Sequence, residues 1–291
     1  MLTCKLQGGL GNQLFQIYTT IAYASQTNKK FFFLNTHELK SSVTDRYTYW
    51  DNFLKSLKPF LIDPELINKD KLVIIREKRF SYDALSLPIS EKKINILNGY
   101  FQSYKYFDPY FQTINRLLKI DDIKVELTNK YRSLINDEMP TSMHFRLGDY
   151  KKLPDHYVIL SVNYYRYALK HLLETDILTK QYRKEPLVKV LYFCQEHDLE
   201  DVETTIAILK TEFPTIVFLR ADPELEDYKQ LILMSICRNN IIANSTFSWW
   251  GAYLNIYRQK KVIYPAEWFG PKLQKTHDTM DLFPEEWIKI G

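Results

Sequence analysis

The chain is poor in glycine and cysteine and has no pronounced excess of either charge. Eight glycines and three cysteines are spread over 291 residues. Cys4, Cys194 and Cys237 form no CxxC pair and no zinc-type spacing. That argues against a disulfide framework or a structural zinc site and reads as three reduced, buried thiols. Lys and Arg number 39 against 35 Asp and Glu, a formal charge of +4, with no Arg- or Lys-rich run. A nucleic-acid partner is therefore not expected, although a small positive excess suits a compact anionic substrate. Long apolar runs are also missing: FFFL at 31–34 is far too short to span a bilayer, and no charged leader precedes a long apolar segment. The expectation is a cytoplasmic protein with no transmembrane segment, with peripheral work at the inner membrane face left open. The hydrophobic share of 45% and charged share of 25% are those of an ordinary globular chain. Its length allows one large domain or two smaller ones.

Against this scarcity, Gly8, Gly9 and Gly11 crowd into KLQGGLGNQLFQ (5–16). LTCKL (2–6) reads as a strand. NQLFQIYTTIAYASQ (12–26) sets Leu14, Ile17, Tyr18, Ile21 and Ala22 on one helical face, with Asn12 as N-cap. KFFFL (30–34) returns as a buried strand. The result is a βαβ unit with its glycine turn at the carboxyl end of the first strand, where open α/β sheets bind ligands. Glycine permits close backbone approach there, and Asn12 and Gln13 add amide donors. A phosphate-binding P-loop is excluded because the Lys–hydroxyl ending is missing, and GxGxxG spacing is absent too. A plain packing turn is the competing reading.

Residues 35–140 show scattered aromatics and read as helices with irregular connections. From 142 onward the pattern alternates. Strands are expected at 142–146, 188–195, 215–219, 241–244 and 260–265, with helices at 163–175, 199–213, 227–239 and 247–258. Such alternation implies a parallel sheet covered on both faces. The fold class expected is α/β with two lobes, 1–140 and 141–291.

Three strand ends carry chemistry. In IIANSTFSWWGAYLN (241–255), Asn244, Ser245, Thr246 and Ser248 open a helix, where N–H groups and the positive dipole end hold phosphate oxygens. Ser and Thr are also simply good N-caps. In MHFRLGDY (143–150), Arg146 is a permanent guanidinium able to grip two phosphate oxygens. Gly148 permits the turn, Asp149 caps it or holds Arg146, and His144 shares a strand face with Arg146. A surface Arg–Asp pair and a core histidine are the plainer alternatives. In CQEHDLED (194–201), Asp198 reads as an N-cap with Glu200 and Asp201 in the first helical turn, rather than as a metal site.

Taken in order, GGLGNQLFQ, LNGYFQSYKYFD, HFRLGDY, SVNYYRYAL, LMSICRNNIIANSTFSWWGAYL and VIYPAEWF resemble the glycosyltransferase family that contains the bacterial α-1,2-fucosyltransferases, glycosyltransferase family 11. The resemblance covers almost the whole chain. It implies a GT-B-like architecture of two Rossmann-like lobes, an acceptor side in 1–140 and a donor lobe in 141–291. It also implies inverting transfer of L-fucose from GDP-β-L-fucose to O2 of a galactose-terminated glycan, free or lipid-linked. No metal and no cofactor are implied, GDP-fucose being a co-substrate. The donor-side positions are Gly9, Gly11, Asn12, Gln13, Arg146, Asn244, Ser245, Thr246 and Ser248. Arg146 is placed at the diphosphate, and Asp149 and His144 are the base candidates. Two departures stand out: Leu147 replaces the second arginine of HxRRGDY, and FCQEHD stands where many relatives have an FSDD-like end. A related transferase with another GDP-sugar or linkage, and a silent sugar-nucleotide or glycan-binding protein, are the rival readings. A nicotinamide enzyme is disfavoured by the missing fingerprint.

Overall fold

A short buried strand, β1 (Leu2–Cys4), leads through the glycine turn into α1 (Leu10–Gln26) in the computed structural model, which describes residues 1–40, 45–86, 93–135, 139–179 and 188–291. Of the 17 residues of α1, 14 are buried, so the helix is enclosed on more than the one face its apolar spacing marks. Several of its buried polar side chains are paired. Tyr18 donates to Asn115 at 2.7 Å, and Thr20 donates to the Gln16 carbonyl at 2.7 Å.

Next along the chain come β2 (Phe33–Leu34), β3 (Glu38–Leu39), β4 (Arg46–Tyr47), β5 (Leu61–Ile62), β6 (Leu72–Arg76), β7 (Ile94–Asn98) and α2 (Phe111–Leu118). Strands β1, β7 and β6 form a parallel sheet in that order, and Leu2 bridges Phe31 in parallel beyond β1. The βαβ reading thus holds, although the return strand is short and its regular pairing is between β2 and β5. The expectation of helices and irregular connections over 35–140 missed β6 and β7. Central β7 carries the fully buried Asn95, and edge strand β6 leaves alternate residues exposed, so neither reads as a clean apolar run.

The rest of the chain supplies α3 (Ile120–Lys130), α4 (Arg132–Ile135), β8 (Thr141–His144), α5 (Val162–Thr179), β9 (Val188–Phe193), α6 (Leu199–Glu212), β10 (Ile216–Arg220), α7 (Asp227–Ser235), β11 (Asn239–Ile241), α8 (Thr246–Tyr253), β12 (Val262–Pro265), α9 (Pro271–Gln274) and β13 (Ile288–Ile290). The strands form one six-stranded sheet, β10-β9-β8-β11-β12-β13, and every neighbouring pair is parallel. Counted from β8, that is the doubly wound order 3-2-1-4-5-6, with its switch point between β8 and β11. Met143, Val190, Ile241 and Ile263 form part of a core against Leu169, Ile206 and Leu209. Two compact units result: Met1–Asp122 with Thr276–Pro284, and Ile123–Lys275 with Glu285–Gly291.

The helix expected at 227–239 stops at Ser235, and Asn239 and Asn240 enter β11 instead. Both asparagines are buried and satisfied. Asn240 donates to Ser142 at 2.7 Å and to the Met234 carbonyl at 2.8 Å, and accepts from Asn255 at 2.8 Å. Main-chain Lys261 N–H donates to Asn239 at 3.0 Å. A buried amide network therefore clamps β8 to β11 at the switch point. Replacing Asn240 by Ala leaves several buried groups without partners and is expected to lower unfolding free energy by about 2–4 kcal/mol. Urea denaturation of N240A measures this directly.

Candidate active site

In the first unit the glycine turn has a distinct reason at each position. Gly8 sits at φ +79°, and a Cβ there would lie 2.4 Å from the Asn12 Nδ2 atom, so both backbone and packing demand glycine. Gly9 is extended at φ −75°, and nothing lies within 4 Å of where its Cβ would be. Neither a positive φ nor internal packing demands this second glycine. Gly11 is buried inside the helix.

The N-cap is Gly9, not Asn12 as the sequence suggested: Gln13 N–H donates to the Gly9 carbonyl at 3.0 Å, so α1 begins two residues before Asn12. Asn12 Oδ1 accepts from Gln102 at 3.0 Å. Gln13 is fully buried, and its Nε2 donates to the carbonyls of Gly8 at 3.0 Å and Tyr47 at 2.9 Å. Gln16 closes the entry to the turn, accepting from Gln7 N–H at 2.9 Å and donating to its carbonyl at 3.1 Å. These amides shape the turn by holding main chain.

In the second unit, β8 and β11 pair in the register Ser142↔Asn240 and end side by side. Arg146, just past β8, donates from Nη1 to Gln195 at 2.8 Å and from Nη2 to Asp149 at 2.5 Å. Its guanidinium also lies 5.2 Å over the Tyr150 ring, and its side chain keeps 18% of its surface exposed. The Tyr150 hydroxyl donates to the Asn244 carbonyl at 3.0 Å and so ties the arginine turn to the turn after β11. Burial raises the Tyr150 phenol, which stays a neutral donor. Tyr150 stacks on Tyr157 at 4.1 Å, which fixes its ring.

The Gly148 turn at φ +32° is anchored from below. Its N–H donates to the buried Asp198 carboxylate at 2.7 Å, and a Cβ at Gly148 would lie 2.6 Å from Gln195 Oε1. Asp198 does occupy the N-cap position of α6, but its side chain makes no cap bond there and serves the neighbouring turn instead. Glu196 bonds Arg220.

Beyond β11 the four polar residues of the turn play different parts. Ser245 is the N-cap of α8, accepting from Phe247 N–H at 3.3 Å. Ser248, buried, donates to the Ser245 carbonyl at 3.3 Å. Asn244 donates to Val158 at 2.8 Å and Trp268 at 3.2 Å. Thr246, half-buried, begins the helix. Asn244 Oδ1 and His144 Nδ1 are buried without a hydrogen-bond partner among the described residues. At the far end of α8, Lys124 donates to the Leu254 carbonyl at 2.6 Å and Lys260 to the Ala252 carbonyl at 3.1 Å, with a further bond to the Asn255 carbonyl. Two cations thus answer the negative pole of the helix, and the positive pole points into the turn beside Arg146. This corner gathers one guanidinium and one helix amino end. Among the described residues, no group of three or more His, Cys, Asp or Glu is placed to hold a metal.

A model of glycosyl transferase family 11 matches residues 1–291. The chain belongs to glycosyltransferase family 11. This family 11 glycosyltransferase is 28% identical to the O-antigen biosynthesis glycosyltransferase WbnK of Escherichia coli, over 100% of both chains. It is 25% identical to an Escherichia coli alpha-1,2-colitosyltransferase, over 100% of this chain and 99% of that one. A galactoside 2-alpha-L-fucosyltransferase of Caenorhabditis elegans is 26% identical, matched over 100% of this chain and 79% of its own. The solved structure of a family 9 glycosyl transferase from Veillonella parvula shares the fold at TM-score 0.50 and 10% identity, covering 99% of this chain and 86% of that one. The architecture is the expected GT-B class of two Rossmann-like units.

Sequence reading placed Arg146, Asp149, His144 and the 244–248 turn together, and the enzyme does bring them to one switch point. It missed Gln195, Tyr150 and Asp198 as the supports of Arg146 and its turn. The signal for Gln195 was available: β9 adjoins β8 in this sheet order, so the segment just past β9, Cys194–Gln195, ends near the arginine turn. His144 is 7% exposed, and burial, with Arg146 adding to it, pushes its imidazole from 6.5 down to about 3. It is therefore a neutral ring and a weak proton acceptor. Between those values the unfolded chain holds a proton that the folded chain lacks. Its contribution to stability is complete above pH 6.5 and is lost as pH falls toward 3. Thermal unfolding of wild type from pH 7 to 4.5 is expected to show this loss, at up to about 1.4 kcal/mol per pH unit. His144→Gln flattens that slope.

Proposed function

We propose that this glycosyltransferase moves L-fucose from GDP-β-L-fucose to the 2-hydroxyl of a terminal galactoside, with inversion and without a metal ion. One observation carries the reading: in a family 11 chain, the Arg146 turn and the amino end of α8 are tied together at the switch point by the Tyr150–Asn244 bond. The acceptor and linkage are supported by the relatives, one named as a galactoside 2-alpha-L-fucosyltransferase. The acceptor is a galactose-terminated glycan, free or lipid-linked. No described helix is long and apolar enough to cross a membrane.

In this reading the anomeric C–O bond breaks with its electron pair passing to the departing diphosphate. The acceptor O2 bonds to the opposite face of the sugar and loses its proton to a base. Charge grows on the phosphate oxygens in the transition state. A preoriented guanidinium and a helix amino end at that charge lower the barrier without reorganisation. Arg146 is preoriented by Gln195, Asp149 and the Tyr150 ring. Of the two base candidates, His144 is the poorer, because its basicity is suppressed at neutral pH. Asp149 is the better chemical choice and orients Arg146 as well. Gly9 is the open main-chain position at the donor-side turn of the first unit in this reading.

The colitosyltransferase relative favours a second reading, with an activated colitosyl donor in place of fucose. A donor panel followed by product NMR separates the two and gives the anomeric configuration.

With chelator present, GDP-fucose and lactose or N-acetyllactosamine are expected to yield an α-1,2-fucosylated product. Product formed only after divalent metal is added overturns the metal-free step. Arg146→Ala is expected to reduce kcat/KM by about a hundredfold or more and to weaken GDP binding while circular dichroism is unchanged. Gly9→Ser keeps a good N-cap, so its thermal midpoint should stay near wild type while the KM for GDP-fucose rises about tenfold or more. An unchanged KM refutes the role given to that open position.

A further inference from the structure

One carboxylate links the carboxyl ends of two strands in the first unit, β6 and β7. Glu77 directly follows β6, and its N–H donates to the Asn98 carbonyl at 3.0 Å, extending the ladder onto β7. Its side chain then reaches the loop after β7. Oε2 accepts from Tyr100 N–H at 2.8 Å and Oε1 from Phe101 N–H at 2.8 Å. A Cβ on Gly99 would lie 2.3 Å from Glu77 Cβ, so that glycine is needed for the carboxylate to reach across. Held by both bonds, Phe101 adopts φ +52°, a left-handed conformation that bulky residues rarely enter. It is fully buried and meets the Tyr106 ring edge-on at 5.5 Å.

The next residue shows what this strained arrangement achieves. Gln102, 7% exposed, donates to Asn12 Oδ1 at 3.0 Å, which leaves the Asn12 Nδ2 atom over Gly8. Ser103 then donates to the Asp281 carbonyl at 2.6 Å and fixes the far side of the loop. A left-handed aromatic costs about 1–3 kcal/mol and persists where the surroundings impose it, commonly at functional sites.

We propose that Glu77 is a positioning residue for the glycine turn: by holding the 99–101 main chain it sets Gln102, and Gln102 sets Asn12 beside Gly8 and Gly9. This rests on the reading of that turn as the donor side. Both carboxylate oxygens face N–H donors, so the clamp is complete in the ionised form, which only accepts. A glutamine in its place must turn its NH2 toward one of them. Burial pushes the Glu77 carboxyl up to about 7, and the two main-chain bonds restrain that rise.

The test compares Glu77→Gln, Gln102→Leu and the double variant in donor kinetics and in amide hydrogen exchange of the 8–13 and 99–102 segments. Each single change is expected to raise the KM for GDP-fucose about tenfold, the effect of losing one charge-assisted or shared hydrogen bond, with a smaller change in kcat. Because both act along one route, the double variant should be no worse than Gln102→Leu. Exchange should quicken at 99–102 and at 8–13 in Glu77→Gln. An unchanged KM, effects that multiply in the double variant, or faster exchange confined to 99–102 each overturn the proposal. If wild type does not use GDP-fucose, the donor reading fails by itself. Exchange at 8–13 in Glu77→Gln then decides whether Glu77 governs the turn. Should Glu77→Gln not fold, Gln102→Leu must still raise KM and quicken exchange at 8–13, or the route through Asn12 is wrong.

Discussion

The pairing of β8 with β11 is the constraint on which the second unit's candidate site depends. These strands lie far apart in sequence, and their parallel register brings two carboxyl ends together at the reversal of strand order. Everything chemical there hangs on those ends. One delivers a guanidinium and the other a helix amino terminus, each of which is a means of holding an anion. The buried Asn239, Asn240 and Asn255 amides make the register specific. Shifting β11 by one residue would break their bonds to Ser142, Met234 and Lys261 together and turn the inward residues outward.

Most polar side chains around the two candidate turns act on the protein's own main chain. Gln13 and Gln16 hold the first turn, Asp198 holds Gly148, Ser245 caps α8, and Asn244 ties down Val158 and Trp268. What they present outward is backbone at Gly9 and one firmly braced guanidinium. That division follows from physics. A buried amide or hydroxyl must be paired, so it is a reliable brace, whereas a ligand group is best met by donors already fixed before it arrives.

The same logic explains how much could be read in advance. The alternating strands and helices after 142 carry strong periodic signals, and the sheet follows almost element for element. Glycine economy pointed to the first turn, since only three closely spaced positions broke an otherwise glycine-poor chain. The N-cap of α1 was misread because Asn is a good cap by type, while the extended Gly9 took the position. Strand β7 escaped notice because its Asn95 sits at the centre of the sheet, where a polar residue interrupts the apolar pattern. Glu77 and Gln102 were invisible for a different reason. Their roles depend on strand adjacency, and a linear sequence does not display which strand ends are neighbours.

Helix α8 shows how far such bracing reaches. Its central residues Ser248–Ala252 are buried, and Trp249 stacks on Tyr253 at 4.6 Å, so the helix is anchored in the core. A rigid buried dipole is unfavourable unless both poles are answered. Lys124 and Lys260 answer the carboxyl pole from inside the protein, and burial, opposed by Glu286 and reinforced by Lys124, brings the Lys260 amine down to about 8. Holding a lysine that reluctantly charged is costly, and the cost makes sense if the helix must keep its orientation when the opposite pole meets an anion that arrives and leaves in each cycle. In the proposed function the cations at one end and the nucleotide phosphates at the other would be two halves of a single electrostatic arrangement, with Arg146 adding charge beside the helix amino end.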